Sequence, residues 1–533
     1  MIDAASTDAS SEDVARHTPA GVRHGVRRNL PIQWLRALAA LMVMLYHNSA
    51  LQQSLLHDGR LRAVMPDALG YFGVALFFAI SGYLMSVAIR VQSPFVFLAH
   101  RIVRIYPLYF VVAACACLIT ILQGETLIFD WRSLLLMPLA RVDYNLKLVE
   151  WTLVYEIAFY VMLFLVSLAG QAKRIVPLAA LWLLVISGYS IVAPDDGTRL
   201  ILPIYRLLLV CTCAPMAAGL LLPSFAMRFG SSWLLLPLAA IPWVVAALMP
   251  VEIGQNYEAL RWVYSASAVL CLWAMLKLSE NPRADGGRLG RIFANYGDSS
   301  YALYLCHVPV ISLVYASLPG LRHGEAWGLS VASTILASLA LGRLDVSLYE
   351  RLKIRLKQAR PIRVHALAAL YAVVFLAAAA KGGYDYYWID RMTALARHDA
   401  ALMLQHPIAT PEDAAAAAMA AGLHPDDQLA GRVDTIKRVD PGGRLYLDAW
   451  GLDRSAKTHV VILFFRDGAL LAIALPEDDR ADIDKAYGVK RNTAVHLDRA
   501  EPCNASPIIA VLLTSTDGFA VLDSQPSSIQ CPE

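Results

Sequence analysis

Apolar runs of about 20 residues recur along this chain, separated by short polar loops. That is the length a helix needs to cross the hydrocarbon core of a bilayer. The pattern makes the chain mainly α: a polytopic transmembrane bundle. About eleven spans are expected, near 31–53, 70–89, 102–122, 149–169, 175–193, 200–222, 232–250, 260–278, 299–318, 326–345 and 364–381. Pro203 and Pro215 predict a kink in the sixth. Composition agrees: the chain is 57% hydrophobic and 17% charged, where a soluble domain carries about a quarter charged residues. The formal net charge is only +3 and no basic run is interleaved with aromatics, so no nucleic-acid partner is expected.

Lys and Arg set the orientation. Arg16, Arg23, Arg27 and Arg28 precede the first span, and Arg351, Lys353, Arg355, Lys357, Arg360 and Arg363 cluster on the same side before the last. The opposite loops are poorer in cations. The N-terminus is therefore read as cytoplasmic, and an odd span count places residues 382–533 outside. Residues 1–30 are polar and expected to be disordered. They are not a cleaved signal, because the apolar run that follows is too long and lacks a small-residue cleavage site.

Four segments result: 1–30, a membrane core at 31–350, a basic loop and eleventh span at 351–381, and an outer segment at 382–533. In the last, Ala414 to Ala421 reads as helix. Beyond residue 430 the period drops to two, in runs at 444–450, 459–465, 469–475 and 508–513 with Asp-Gly or Gly-Gly turns between several of them. This predicts a small extracytoplasmic β-sandwich-like domain. Of the eight cysteines, six lie in spans, where thiols behave as small apolar residues. The two C-x-C pairs, Cys115/Cys117 and Cys211/Cys213, have no His or carboxylate neighbours, so no metal site is expected. Cys503 and Cys531 lie in the outer segment, where an oxidising compartment permits a disulfide between them.

Ionisable groups inside the spans are costly and face a protein interior or a wet cavity. His47 lies eleven residues after Arg36, so the two share a helix face and sit about 16 Å apart along the axis. Phe77-Phe78-Ala79-Ile80-Ser81-Gly82-Tyr83 occupies the second span, where Ser81 and Gly82 allow close approach of a helix or a ligand. Arg101 and Arg104 open the third span one turn apart in Arg-Ile-Val-Arg-Ile-Tyr-Pro-Leu-Tyr, which ends on Tyr109. Paired guanidinium groups there suit phosphate, and they also suit a positive-inside anchor. Glu150-Trp151-Thr152-Leu153-Val154-Tyr155-Glu156 opens the fourth span, at a depth where Glu156 could meet His47 and fix its tautomer. Ser300-Tyr301-Ala302-Leu303-Tyr304-Leu305-Cys306-His307-Val308-Pro309 holds a second intramembrane imidazole. Gly297-Asp298-Ser299 mimics a hydrolase nucleophile block, but a membrane helix follows it and no His–Asp partner block appears in the outer segment.

In this order the segments resemble the acyltransferase-3 family of polytopic bacterial O-acyltransferases, over about residues 30–350. The resemblance implies ten core helices that move an acyl group, commonly acetyl, from cytoplasmic acyl-CoA to a hydroxyl of a cell-surface glycan at the periplasmic side of the inner membrane. It implies that His47 is essential and that Arg36, Arg101, Arg104 and Glu156 matter. On this reading His47 is the general base and Glu156 its carboxylate. Arg36, Arg101 and Arg104 hold the acyl-CoA phosphates, and Ser81, Tyr109, Glu150, Trp151, Tyr304 and His307 line the substrate site. Acyl-CoA is a co-substrate, and no cofactor is bound permanently. The expected partners are acyl-CoA, the glycan and the bilayer. The eleventh span and the outer domain lie beyond the shared core, and the domain's role, packing or glycan binding, is open. The alternative class is a transporter or flippase for a glycan or lipid, which would also bury Arg, Glu and His. Against it stands the lack of an internal repeat in the hydropathy pattern.

Overall fold

The computed structural model describes residues 29–56, 58–123, 134–138, 149–194, 204–226, 232–248, 257–279, 287–318, 322–438, 444–455, 459–476, 483, 486, 494–500 and 507–524. Cys503, Cys531 and most of the N-terminal 30 residues lie outside them. Among the described residues nine helices are long and apolar enough to cross a membrane, so the chain is a multi-pass membrane protein. The expected span at 200–222 is not one kinked helix. It breaks into α6 (Ile204–Leu207), a tight turn at Cys211–Cys213 and α7 (Ala214–Phe225). Pro215 explains the break: it sits in the first turn of α7, where a missing N–H costs nothing.

The chain divides into two compact units. The first comprises Met1–Val87, Pro215–Pro250 and Leu260–Ser347. It contains α1 (Leu30–Leu56), most of α2 (Asp67–Val91), α7, α8 (Ser232–Leu248), most of α9 (Tyr257–Ser279), α10 (Gly287–Asp298), α11 (Ser300–Ser317) and the larger part of α12 (His323–Gln358). Its main apolar cluster joins Ile32, Leu35 and Ala39 of α1 to Leu76 and Ala79 of α2, Leu222 of α7 and Ala268 and Leu272 of α9.

Backbone contact without a side chain fixes two crossings. A Cβ at Gly82 would lie 2.2 Å from Met216 O, and one at Gly219 would lie 2.3 Å from Ala79 O. Helices α2 and α7 therefore touch main chain to main chain, as small residues permit. This is what the Ser81-Gly82 step serves. Gly82→Ala and Gly219→Ala should each force the pair apart at about 1–3 kcal/mol. The expected result is a lower melting temperature of the detergent-purified protein; unchanged melting for both would contradict the crossing. At the second crossing, a Cβ at Gly297 would lie 2.2 Å from Gln33 O. Ser299 Oγ occupies the space a Cβ at Gly342 would need, at 2.3 Å. The Gly-Asp-Ser block is a helix junction.

Asp58, in the loop after α1, is only 7% exposed. It accepts from Arg60 Nε and Nη2 (2.9 and 2.8 Å) and from Gln52 Nε2 (3.2 Å), and its Oδ2 lies 2.9 Å from His323 Nδ1. The Arg60 bonds, side chain first, hold the carboxyl well below the usual carboxylate range; burial opposes them and His323 adds to them. A depressed folded-state pKa contributes stability that is present above the unfolded value, about 3.9, and is lost as pH falls toward the folded value. Asp58→Asn should thus melt below wild type at pH 7, and the gap should close as pH drops below about 4. A gap independent of pH between 3 and 7 would contradict this.

The second unit comprises Ala88–Ala214, Val251–Ala259 and Leu348–Glu533. It holds α3 (Pro94–Leu122), α4 (Trp151–Leu168), α5 (Ile175–Val192), α6, the end of α12, α13 (Pro361–Met403), α14 (Pro411–Ala420) and the strands. Helix α3 starts eight residues earlier than the expected 102, so Arg101 and Arg104 lie in its second and third turns rather than at its mouth. Tyr106 Oη donates to Leu135 O (2.6 Å) and lies 2.7 Å from Tyr371 Oη, fastening α3 to α13.

Helix α13 runs unbroken for 43 residues, about 64 Å. Its buried stripe continues from Phe375 through Tyr386, Met392, Ala396 and Ala400 to Met403. That burial outweighs the helix cost of Gly382 and Gly383, about 1 kcal/mol each. Thr410 and Asp413 form a reciprocal capping box that starts α14.

The strands are β1 (His424–Pro425), β2 (Leu429–Arg438), β3 (Arg444–Asp453), β4 (Val460–Arg466), β5 (Ala469–Ala474), β6 (Ala494–Ala500), β7 (Ile509–Thr514) and β8 (Gly518–Ser524). They run in the order β5-β4-β7-β8-β2-β3-β6, with β1 beside β8. Asp467 and Gly468 both have positive φ (52° and 73°) and close the β4–β5 hairpin, as an Asp-Gly turn does. Ile462, Phe464, Ala510 and Leu512 share a core with Leu447, Ala449 and Val495. The opposite face of β4 and β7 packs through Leu463, Phe465 and Val511 on α13 and α14. The C-terminal region is thus strand-rich, with α13 and α14 packed on one face of β4 and β7.

Candidate active site

In the first unit α1 brings His47 against α11. His307 Nε2 lies 3.1 Å from His47 Nδ1, with ring centroids 4.9 Å apart. Each ring also meets the carbonyl one turn behind it: His47 Nδ1 is 3.0 Å from Val43 O, and His307 Nδ1 is 3.2 Å from Leu303 O. A carbonyl oxygen only accepts, so each neutral ring carries its proton on Nδ1. His307 Nε2 then presents a lone pair, and the Nδ1–H of His47 is shared between it and Val43 O. The consequence is a defined tautomer in which the lone pair of His47 is on Nε2. His307 is fully buried, so its orientation is set by the core.

Asn48 fixes the rotation of α1 that makes this possible. It is fully buried; its Oδ1 accepts from Tyr315 Oη (2.5 Å) and Ser330 Oγ (3.0 Å), and its Nδ2 donates to Trp327 O (3.5 Å). Tyr304 packs its ring 5.9 Å from His307 and 5.9 Å from Phe77. Arg36, eleven residues before His47, bonds Gln33 Oε1 at 3.3 Å and stays half-buried. Ser81 is buried beside the α2–α7 crossing.

In the second unit Arg101 and Glu156 are linked by one residue that the motif reading passed over. The Arg101 guanidinium lies 5.9 Å from the Tyr160 ring centroid and 5.7 Å from that of Phe97. The Tyr160 hydroxyl donates to Glu156 Oε1, its neighbour one turn back on α4. The signal for Tyr160 was its i, i+4 spacing from Glu156. Arg101 Nε is buried without a hydrogen-bond partner among the described residues. Arg104 lies over the ring of Tyr349, 5.4 Å from its centroid. Glu150 takes the N-cap position of α4 and Trp151 packs on Tyr155 at 5.8 Å. Tyr109 is fully buried against Tyr106 and Phe110 of its own helix.

The site residues therefore fall into two sets. His47, His307 and Tyr304 meet in the first unit. Arg101, Tyr160 and Glu156 meet in the second, with Arg104 one turn along α3. A ring nitrogen with a fixed lone pair can take a proton from a hydroxyl, and guanidinium groups can hold phosphate.

Residues 29–343, more than half of the chain, match the family model of an acyltransferase domain, acyltransferase-3. No curated protein and no solved structure matches the chain.

Proposed function

We propose that this chain, which belongs to the acyltransferase-3 family, transfers an acyl group, acetyl by preference, from acyl-CoA to a hydroxyl of a cell-surface glycan. His47 is the general base. The observation that carries this reading is the His47–His307 pair, an imidazole with one assigned lone pair among helices of membrane length. In the reaction His47 Nε2 removes the acceptor proton as the oxygen attacks the thioester carbonyl. The C–S bond then breaks, and the imidazolium returns the proton to the departing CoA sulfur. His307 is a positioning residue that holds the tautomer. Arg101 and Arg104, one turn apart on α3, pair with the nucleotide phosphates as charge-assisted contacts. Within the first unit Tyr304, packed on His307, lines the acceptor side; within the second, Tyr160 donates to one oxygen of Glu156.

The protein is placed in the bacterial inner membrane with its N-terminus cytoplasmic and its C-terminal domain periplasmic, as the distribution of Lys and Arg supports. Mass spectrometry of envelope glycans from wild-type and deletion strains tests the reading. One glycan should lose a fixed increment, 42 Da for acetyl, a mass that names the acyl group while the glycan names the acceptor. Identical glycan masses in the two strains would overturn it.

A further inference from the structure

The last turns of α12 were expected to be a basic loop but are helical to Gln358. This places Tyr349, Lys353 and Lys357 at i, i+4 and i+8, one stripe of the helix. Within the second unit the stripe meets α3. Tyr349 stands between two cations, with Arg104 at 5.4 Å and Lys353 Nζ at 5.5 Å from its ring centroid. Arg101 lies one turn before Arg104, and the charges of Arg101, Lys353 and Lys357 all act on the ring of His100 beside it. Lys353 pairs with exposed Glu350 at 3.3 Å, and Asp345 lies one turn before Tyr349 on the same stripe. Counting Glu156, which reaches Arg101 through Tyr160, four cations stand against three carboxylates and leave a positive surplus, and Arg101 keeps a buried Nε without a partner among the described residues. Like charges held this close favour an anion among them. The two lysines lie beyond residue 343, where the family match ends.

We propose that α3 and the end of α12 form a phosphate site in which Lys353 and Lys357 hold a phosphate monoester while Arg101 and Arg104 hold a diphosphate. This deepens the acyl-CoA reading and rests on it. The nucleotide end of CoA carries a 5′-diphosphate and a 3′-phosphate, so the lysine pair is the part that distinguishes CoA from dephospho-CoA. Point-charge ammonium groups suit the freely rotating monoester, and the planar guanidinium pair suits the diphosphate. The same chemistry would bind an anionic lipid headgroup, the second source of phosphate at a membrane face.

The test is calorimetric titration of the full-length protein in nanodiscs, with 3′-phosphoadenosine 5′-diphosphate and with ADP as probes. The first should bind at least about tenfold more tightly, as one added charge-assisted contact allows. The double variant Lys353→Gln/Lys357→Gln should lose that preference while still binding ADP. Equal affinity of the wild type for the two probes overturns the assignment of the lysines. A preference that the double variant retains overturns it too. Repeating the titration in phosphatidylcholine and in phosphatidylglycerol discs distinguishes the sources. Binding unaffected by lipid supports the nucleotide, whereas the absence of nucleotide binding in both discs, with retention of phosphatidylglycerol through purification, assigns the site to lipid and overturns the nucleotide proposal. Thioester consumption by the same preparations is a separate readout. If CoA is released from acyl-CoA while the probes bind equally, only the lysine assignment fails, and if no acyl-CoA is consumed the acyl-CoA reading itself fails.

Discussion

His47→Ala is expected to lower acyl transfer to the glycan by about 10²- to 10⁴-fold, the range general-base catalysis supplies. The substitution removes a ring whose Nδ1 proton is held by two neighbours, Val43 O and His307 Nε2, which fixes its lone pair on Nε2. It leaves the fold's fastenings in place. Asn48 still bonds Tyr315 and Ser330, and Gly297 still rests on Gln33. Membrane insertion and melting temperature should therefore stay close to wild type while turnover collapses. Normal turnover in a well-folded His47→Ala protein would remove the base from the proposal.

The second large effect is at His307. His307→Ala removes the acceptor that shares the Nδ1 proton of His47, freeing that ring to turn or change tautomer. A loss of about 10- to 100-fold in kcat is expected, typical of residues that orient a reactive group, with KM for acyl-CoA unchanged. His307→Gln can present an amide oxygen toward His47 Nδ1 and should recover much of the loss. A merely structural role would show otherwise: both variants would lose folded protein in step with activity, and glutamine would give no selective recovery of kcat. Wild-type kcat in both variants would make the pair idle.

The membrane core was legible in the sequence because apolar length is a direct physical requirement of the bilayer. His47, His307, Glu156 and the arginine pair stood out for a related reason: charge inside such runs is costly. The contact between the imidazoles was not legible. It depends on how far along α1 the helix α11 begins, and that register is set by one close approach, Gly297 on Gln33. From there His47 lies fourteen residues on along α1, a rise of about 21 Å, and His307 lies past the α10–α11 junction, seven residues into α11. Tyr160 escaped for the opposite reason: a tyrosine in an apolar run carries no charge to mark it. The broken helix at 204–225 and the unbroken one at 361–403 both ran against hydropathy, which records burial but not continuity. In the C-terminal strand-rich region the runs with clear alternation became β3, β4, β5 and β7. The strands β2, β6 and β8 mix Arg, Asp and Gly into their runs, and pairing partners rather than pattern make them strands.

The most direct test of the account follows carbon-labelled acetyl-CoA in inverted membrane vesicles containing the wild-type protein or His47→Ala. The label should pass to glycan in wild-type vesicles, with release of one CoA thiol per acetyl group transferred, and neither event should occur with the variant. Label reaching glycan equally in both vesicle types, or wild-type protein that releases no CoA from any acyl-CoA supplied, would contradict the assignment of His47 as the base of an acyl transfer.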